Sequence, residues 1–452
     1  MLPMDRPPRT PLQIDPTDAT EGKLSGSSPV TTVRRPATRR YYGWTIATTL
    51  ALTETISWGI LYYAFSVFLI PMRDELGWSA ATLTGAYSVA MLTSGLAAPF
   101  VGRWLDNHGP RVLMTVGSTL GVLLVLAWSR VDSLVLFYLI WAGLGLAMAA
   151  TLYDPAFATL TRWFERDRNR AFLLVTVAAG FASTITLPLS SWLVDRHGWR
   201  NALVILAVIL AVTTIPLHAL LLRRRPEDLG LHPDGAKPIT GDTPTASMVN
   251  RVGLTTREAL RNPSFRWLTL AFFFETFAMV ATGVHLIPYL TERGDGARFA
   301  ATATGLIGAA QVGARILATI FGGRLSQTTL TMLVFALQSV AVIVLVSWQT
   351  RTGVLTAVLL LGAGRGVVTL MRPGLIAEIY GRTHFGSISG MQALFLTGAR
   401  ALAPVGAGAA YTLAGGYSPV LWGMATISAL AALAMLPVRR YRRVTTGTVT
   451  PA

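Results

Sequence analysis

The sequence predicts an all-α membrane protein with twelve transmembrane helices in two six-helix lobes, and three observations carry that prediction. Of the 452 residues, 52% are hydrophobic and 13% charged, with a mean hydropathy of +0.51. That is too apolar for the charged surface of a soluble protein of this length. Apolar runs of about 20 residues, the length that crosses the hydrocarbon of a bilayer, recur about twelve times between charged or Gly/Pro punctuation. A long polar stretch then divides these runs six and six.

In chain order, residues 1–43 form a predicted disordered cytoplasmic tail. Its first forty residues, MLPMDRPPRTPLQIDPTDATEGKLSGSSPVTTVRRPATRR, are rich in Pro, Thr and Arg and lack the apolar core of a cleavable signal. The first lobe, 44–222, holds predicted spans at 44–70, 80–101, 112–129, 134–160, 171–193 and 202–222. A cytoplasmic loop over 223–266 opens with RRRPEDLGLHPDGAKPITGD. The second lobe, 267–438, holds spans at 267–290, 301–322, 329–348, 353–374, 387–410 and 418–437, and a cytoplasmic tail covers 439–452. Gly and Ala crowd the spans, as in AGLGLAMAA (142–150) and APVGAGAA (403–410). Small residues three or four apart let helix backbones approach closely in lipid.

The formal charge of +16 is a topology signal. Assigned to sides, 27 of the 38 Lys and Arg fall on the side of the termini and 7 on the other, while Arg315, Arg365, Arg372 and Arg400 lie within spans. The positive-inside rule then makes both termini cytoplasmic, in an inner (plasma) membrane. Lipid, not nucleic acid, is the expected surroundings. There is no Cys, so disulfides, zinc-thiolate sites and iron-sulfur clusters are excluded, and neither a metal nor a cofactor is expected.

Within the first lobe WLDNHGPR (104–111), after span 2, is echoed by WLVDRHGWR (192–200), after span 5 and on the other side of the membrane. An inverted repeat of three helices would produce that placement; chance similarity of short Arg/Gly loops is the alternative.

The stretch GRWLDNHGPR (102–111) resembles the loop 2–3 signature of the major facilitator superfamily, with Gly102, Asp106, Gly109 and Arg111 at the matching positions. It departs at Asn107 and Pro110, where the family has basic residues. The two glycines permit a tight turn, and Asp106 can cap a neighbouring helix N-terminus or pair with an arginine. The resemblance implies a gating latch between the lobes and places spans 1, 4, 7 and 10 around a central cavity. Within the superfamily GWTIATTL, YYAFSVFLIPMRDELGWS (62–79) and TRWFERDRNRA (161–171) are similar to the branch of monocarboxylate transporters and oxalate:formate antiporters. That likeness implies that Arg315, in AQVGARIL (310–317), holds a substrate carboxylate. The aspartate of the monocarboxylate transporters falls on Gln311 and their span-1 lysine on Tyr63. The antiporters' second cation falls on Arg400, in TGARALAP (397–404). Two guanidinium groups facing one cavity suit an anion with one or two carboxylates, because each offers a planar bidentate fork.

An isolated charge at mid-membrane costs about 2.5–3.5 kcal/mol on insertion scales, which implies a partner or a function. For Arg315 the alternative to substrate binding is a structural ion pair with Glu275. Arg365, in LGAGRGVVTL, either lines the cavity or pairs with a carboxylate, and Arg372 is expected to snorkel to the cytoplasmic face. Glu54 lies near the middle of span 1, where a low dielectric disfavours the charged form. It is a proton-coupling candidate, with Glu275 and Asp154; permanent neutralisation of an arginine is its other reading. Asp154, before Pro155, is also expected to repair freed backbone at a kink. His285 reads as a polar wall residue. Tyr62 and Tyr63 point about 100° apart on an α-helix, so only one should face the cavity squarely, and the resemblance selects Tyr63. GAGRG (362–366) imitates a dinucleotide fingerprint but follows no strand.

These readings converge on a secondary active transporter of a small mono- or dicarboxylate, proton-coupled or an antiporter, working by alternating access as a monomer. The alternatives are a major facilitator exporter of an unrelated small molecule with structural arginines, a non-transporting sensor, or an intramembrane enzyme. No HExxH, GxSxG or GxxxxGK[ST] is present, so neither an enzyme nor an ATP-driven pump is expected.

Overall fold

A computed structural model describes residues 41–235, 253–321 and 325–447. The predicted N-terminal tail, except its last three residues, lies outside that set. So do the middle of the predicted central loop and the last residues of the C-terminal tail. Nine stretches of described helix are long and apolar enough to cross a membrane. One of them, Arg168–Leu221, holds two crossings, because Gly198 at φ 74° turns the chain inside it. Two further helices, Ala80–His108 and Ala297–Phe321, fall short in hydropathy because Thr, Ser and Gly replace large apolar residues, yet they are 29 and 25 residues long. They complete twelve.

The helices are α1 (Tyr42–Leu76), α2 (Ala80–His108), α3 (Pro110–Trp128), α4 (Leu134–Trp163), α5 (168–197) and α6 (199–221). After the polar stretch come α7 (Pro263–Glu292), α8 (Ala297–Phe321), α9 (Gln327–Ser347), α10 (Arg351–Tyr380), α11 (Phe385–Ala414) and α12 (Tyr417–Gly447). Each predicted span coincides with one of them. The difference is at the C-terminus, where α12 runs past 438, since RRYRR contains nothing that breaks a helix. The polar stretch also carries order of its own, including a short helix at Thr256–Arg261 closed by a Thr255/Glu258 capping box.

Three helices depart from regular winding, one of them α5, which is interrupted at Phe181. Trp58–Tyr63 in α1 is π-helical, and α4 breaks at Leu152, just before Tyr153-Asp154-Pro155. The predicted kink before Pro155 is therefore present.

Buried apolar side chains form three cores. One joins both halves of the chain near the end that carries GRWLDNHGPR, the motif end; Ile46, Phe157 and Phe172 meet Phe272, Phe335 and Leu375 there. The other two lie toward the far end, one confined to the first half around Phe68, Trp128 and Trp141, the other to the second half around Leu286, Leu345 and Val358. The halves are thus packed together at the motif end. Toward the far end each is packed only on itself.

The closest contact between halves is α2 against α11. A Cβ on Gly102 would collide with the backbone of Gly386, and one on Gly390 with the backbone of Ala98, so the two helices touch backbone to backbone, as small residues allow in lipid. On the other flank α8 packs against the Arg168–Gly180 segment of α5. Within the first half, two arginines tie α3 to α6. Arg111 at the start of α3 donates to the Ala219 carbonyl at the end of α6, and Arg200 at the start of α6 donates to the Ser129 and Val131 carbonyls at the end of α3. That reciprocity is the structural form of the inverted repeat.

Candidate functional site

Four helices bring charge to the region between the halves: α8, α10 and α11 from the second, α4 from the first. Arg315 on α8 is 6% exposed and faces the first half rather than lipid. Its guanidinium donates to the Thr176 carbonyl of α5 at 2.7 Å, to the Gly366 carbonyl of α10 at 3.4 Å, and to Oε1 of Gln311, one turn earlier on its own helix, at 3.5 Å. Tyr153 of α4 and Tyr63 of α1 are within its electrostatic reach. Gln311, the residue standing where a carboxylate was looked for, therefore adds a neutral acceptor beside the cation.

Arg400 on α11 is exposed although protein lies around it. It makes no hydrogen bond or ion pair to the described residues, and its charged and polar neighbours are Arg372, Tyr62 and Asp154. Tyr62 lies within the electrostatic reach of Arg400 and Tyr63 within that of Arg315. The expectation that only one would face inward rested on α-helical spacing. Trp58–Tyr63 is π-helical, which leaves adjacent side chains on clearly different bearings, as the α-helical spacing does. Trp58, Tyr62, Tyr63 and Tyr153 form a continuous aromatic wall, with ring centroids 4.9–5.0 Å apart from Tyr153 through Trp58 and Tyr62 to Tyr63.

Arg365 turns the other way. It donates to the Met279 carbonyl of α7 at 2.7 Å and sits in the field of Glu275, which is 1% exposed. Glu275 therefore balances Arg365, not Arg315 as the structural alternative had it. No direct ion pair forms, and both Glu275 oxygens lack a hydrogen-bond partner among the described residues. Glu54 is its counterpart in the first half. It lies as deep in α1 as Glu275 does in α7, is fully buried, and has neither oxygen hydrogen-bonded to a described residue, with Trp58 and Asp154 nearest in its electrostatics.

Arg372 does not snorkel. It turns inward and pairs with Asp154 across the halves at 3.2 Å, and donates to Oε1 of Gln392 at 3.0 Å and to the Ser389 carbonyl at 2.9 Å. Ser389 also donates to Asp154 at 3.1 Å. A cation near the membrane interior with an anion in reach gains more from pairing than from reaching the interface, which is why snorkelling loses here. Asp154, Ser389 and Arg372 form a floor beneath Arg400, on the motif side. The sequence offered Asp154-Pro155 as the signal for this spot; nothing in it marked Tyr153, Ser389 or Gln392.

The motif forms a cross-half contact. Asp106 accepts from the backbone N–H of Gly386 at 3.0 Å and of Ser387 at 2.7 Å, capping α11, and pairs with Arg162 of α4 at 3.2 Å. Helix N-termini favour just such a negative group. Gly109 adopts φ 81° at the turn into α3, a conformation that glycine accepts without strain, and Arg111 stays within its own half. Arg382 and Glu165 add a second cross-half ion pair at this end, at 2.9 Å. Among the described residues no hydrogen bond or ion pair joins the halves at the far end; His285, for instance, contacts only Tyr417 and the Pro404 carbonyl. No group of described residues could hold a metal ion.

Known proteins match this arrangement. Bovine monocarboxylate transporter 13 is 24% identical over 75% of this chain and 76% of its own. The oxalate:formate antiporter of Oxalobacter formigenes is 26% identical over 50% of this chain, about half the antiporter's length. The E. coli fucose:proton symporter superposes with a TM-score of 0.65 at 16% identity, over 89% of this chain and 99% of the symporter. The Major Facilitator Superfamily model matches residues 50–404. Twelve helices, a split between halves that share a core at one end, and that match make the chain a multi-pass membrane transporter of the major facilitator superfamily.

Proposed function

We propose that this transporter carries a small organic anion, a mono- or dicarboxylate, by alternating access between lobes 44–222 and 267–438. Both termini are cytoplasmic in this reading, in the inner (plasma) membrane, and one chain suffices. The observation that carries it is the Arg400 guanidinium, which is exposed and has no hydrogen-bond or ion-pair partner among the described residues. A charge that deep in a membrane protein is retained for a partner, and here an arriving carboxylate is that partner. Arg315 receives a second carboxylate, or the other oxygens of the first, with Tyr62 and Tyr63 donating hydroxyls and the aromatic wall excluding water. Relatives named for monocarboxylates and for oxalate and formate support the substrate class.

A second reading has one observation in its favour: Arg315 already donates to two backbone carbonyls, as a structural tether would. Substrate-induced thermal stabilisation of the purified protein, screened over mono- and dicarboxylates, separates the two. In the transport reading Arg315→Ala removes stabilisation and Arg315→Lys weakens it, because an ammonium lacks the planar fork. Arg400→Ala harms dicarboxylates more than monocarboxylates. Undiminished stabilisation of Arg315→Ala by the same anion makes Arg315 a tether and withdraws it from the substrate site.

A further inference from the structure

The motif that docks α2 on α11 occurs twice in the first half. Asp106, His108, Gly109 and Arg111 recur at the same spacing as Asp195, His197, Gly198 and Arg200, and Pro99 and Pro188 precede the two aspartates by the same interval. The copies share geometry as well as letters. Gly109 and Gly198 both turn with positive φ, at 81° and 74°, and extended ψ. Arg111 and Arg200 each hold the far terminus of the partner helix in the α3–α6 pair. Arg200 has further partners in Glu75 and Asp132, and the aspartates differ most. Asp106 caps α11 and pairs with Arg162, whereas Asp195 is exposed and contacts no described residue by hydrogen bond or ion pair.

Asp195 stands at the far end of α5, whose main neighbour in the second half is α8, with α10 beside it. That helix begins at the same far end, with Ala297 first and with Arg298 exposed and equally without a hydrogen-bond or ion-pair partner for its side chain among the described residues. α8 and α11 are themselves alike, each carrying Gly-Ala-Arg, at 313–315 and 398–400. In this state α8 meets the Arg168–Gly180 part of α5, where a Cβ on Gly180 would touch Val312 and Arg315.

We propose that Asp195 is the latch of the opposite state: when the motif end opens and the far end closes, the Asp195 carboxylate docks on the first turn of α8, accepting from its free backbone N–H groups and pairing with Arg298. Asp106 and Asp195 then hold the two ends in alternation, one engaged while the other is free. An N-terminal helix turn offers free N–H donors and a positive potential to such a group, and Arg298 supplies the charge partner that Arg162 supplies to Asp106. The proposal rests on alternating access and not on the identity of the substrate.

The absence of Cys from the chain makes the test direct. Asp195→Cys and Arg298→Cys are introduced together in a Gly102→Leu background, which wedges α2 away from α11 and opens the motif end; Asp106→Asn is the milder alternative background if Gly102→Leu folds poorly. Opening is verified separately in each background by modification of Ser389→Cys with a water-soluble thiol reagent. The expected result is that the 195/298 pair is cross-linked by a short bifunctional thiol reagent in the opened backgrounds and several-fold less with Gly102 and Asp106 intact. Ser389 modification without a 195/298 cross-link overturns the latch and leaves alternating access standing. Failure of Ser389 to react in both backgrounds overturns alternating access and the latch with it.

Discussion

At the scale of single residues, the Arg372–Asp154 pair ties α10 to α4 across the halves, at 3.2 Å. Arg315, Arg365, Arg372 and Arg400 stand out in apolar runs, and Glu54 and Glu275 do so for the same reason. Which cation meets which anion depends on a helix from another part of the chain. Arg372 meets Asp154, 218 residues away, and no spacing rule foretells that. The pair is accessible to a direct test. Removing one partner of a fully buried pair costs about 3–5 kcal/mol, but the Asp154 side chain is 36% exposed, so solvent screening reduces the expected loss for Arg372→Ala to about 1–2 kcal/mol. Thermal unfolding in detergent should show that drop, and the charge swap Asp154→Arg with Arg372→Asp should recover part of it. An unchanged midpoint for Arg372→Ala would show that the contact contributes nothing. Glu54 calls for a functional measurement. Glu54→Gln imitates a protonated carboxyl, so accumulation driven by a pH gradient should be lost while counterflow of substrate continues. Gradient-driven uptake at the wild-type level would remove Glu54 from any proton path.

At the scale of elements, hydropathy and punctuation sufficed for twelve helices but not for their irregularities. The π segment at Trp58–Tyr63 carries no breaker that would announce it. The break in α4 was visible through Pro155. The α2–α11 seam was half visible: the small residues could be read, but not that Gly390 lies on the Ala98 carbonyl. Gly390→Val should force the two helices apart, lower the thermal midpoint of the purified protein, and increase labelling of Ser389→Cys from the motif end. If labelling is unaffected, the seam is not what keeps that end shut.

At the scale of the whole molecule, the three cores describe a body closed at one end and divided at the other. The sequence indicated two lobes by its central polar stretch, yet not which end would be joined, because apolar faces are present at both ends of both lobes. Asp106→Asn removes a charge with little change in volume and weakens the cap on α11. Exchange between states, followed by the rate of substrate counterflow in liposomes, should change, while the concentration of anion needed for half-maximal thermal stabilisation stays within a few-fold of wild type. A collapse of affinity with an unaltered exchange rate would show that the motif acts on the site and not on the closure.

The reciprocal arginines of the first half have a mechanical consequence. Two antiparallel helices pinned at one end can still splay at the other, but α3 and α6 are pinned at both, by Arg111 at the motif end and by Arg200 at the far end. Splaying the two apart at either end stretches one pin or the other. Compliance in this half is then expected outside that pair, in the helices that are irregular, α1 at Trp58–Tyr63, α4 at Leu152 and α5 at Phe181.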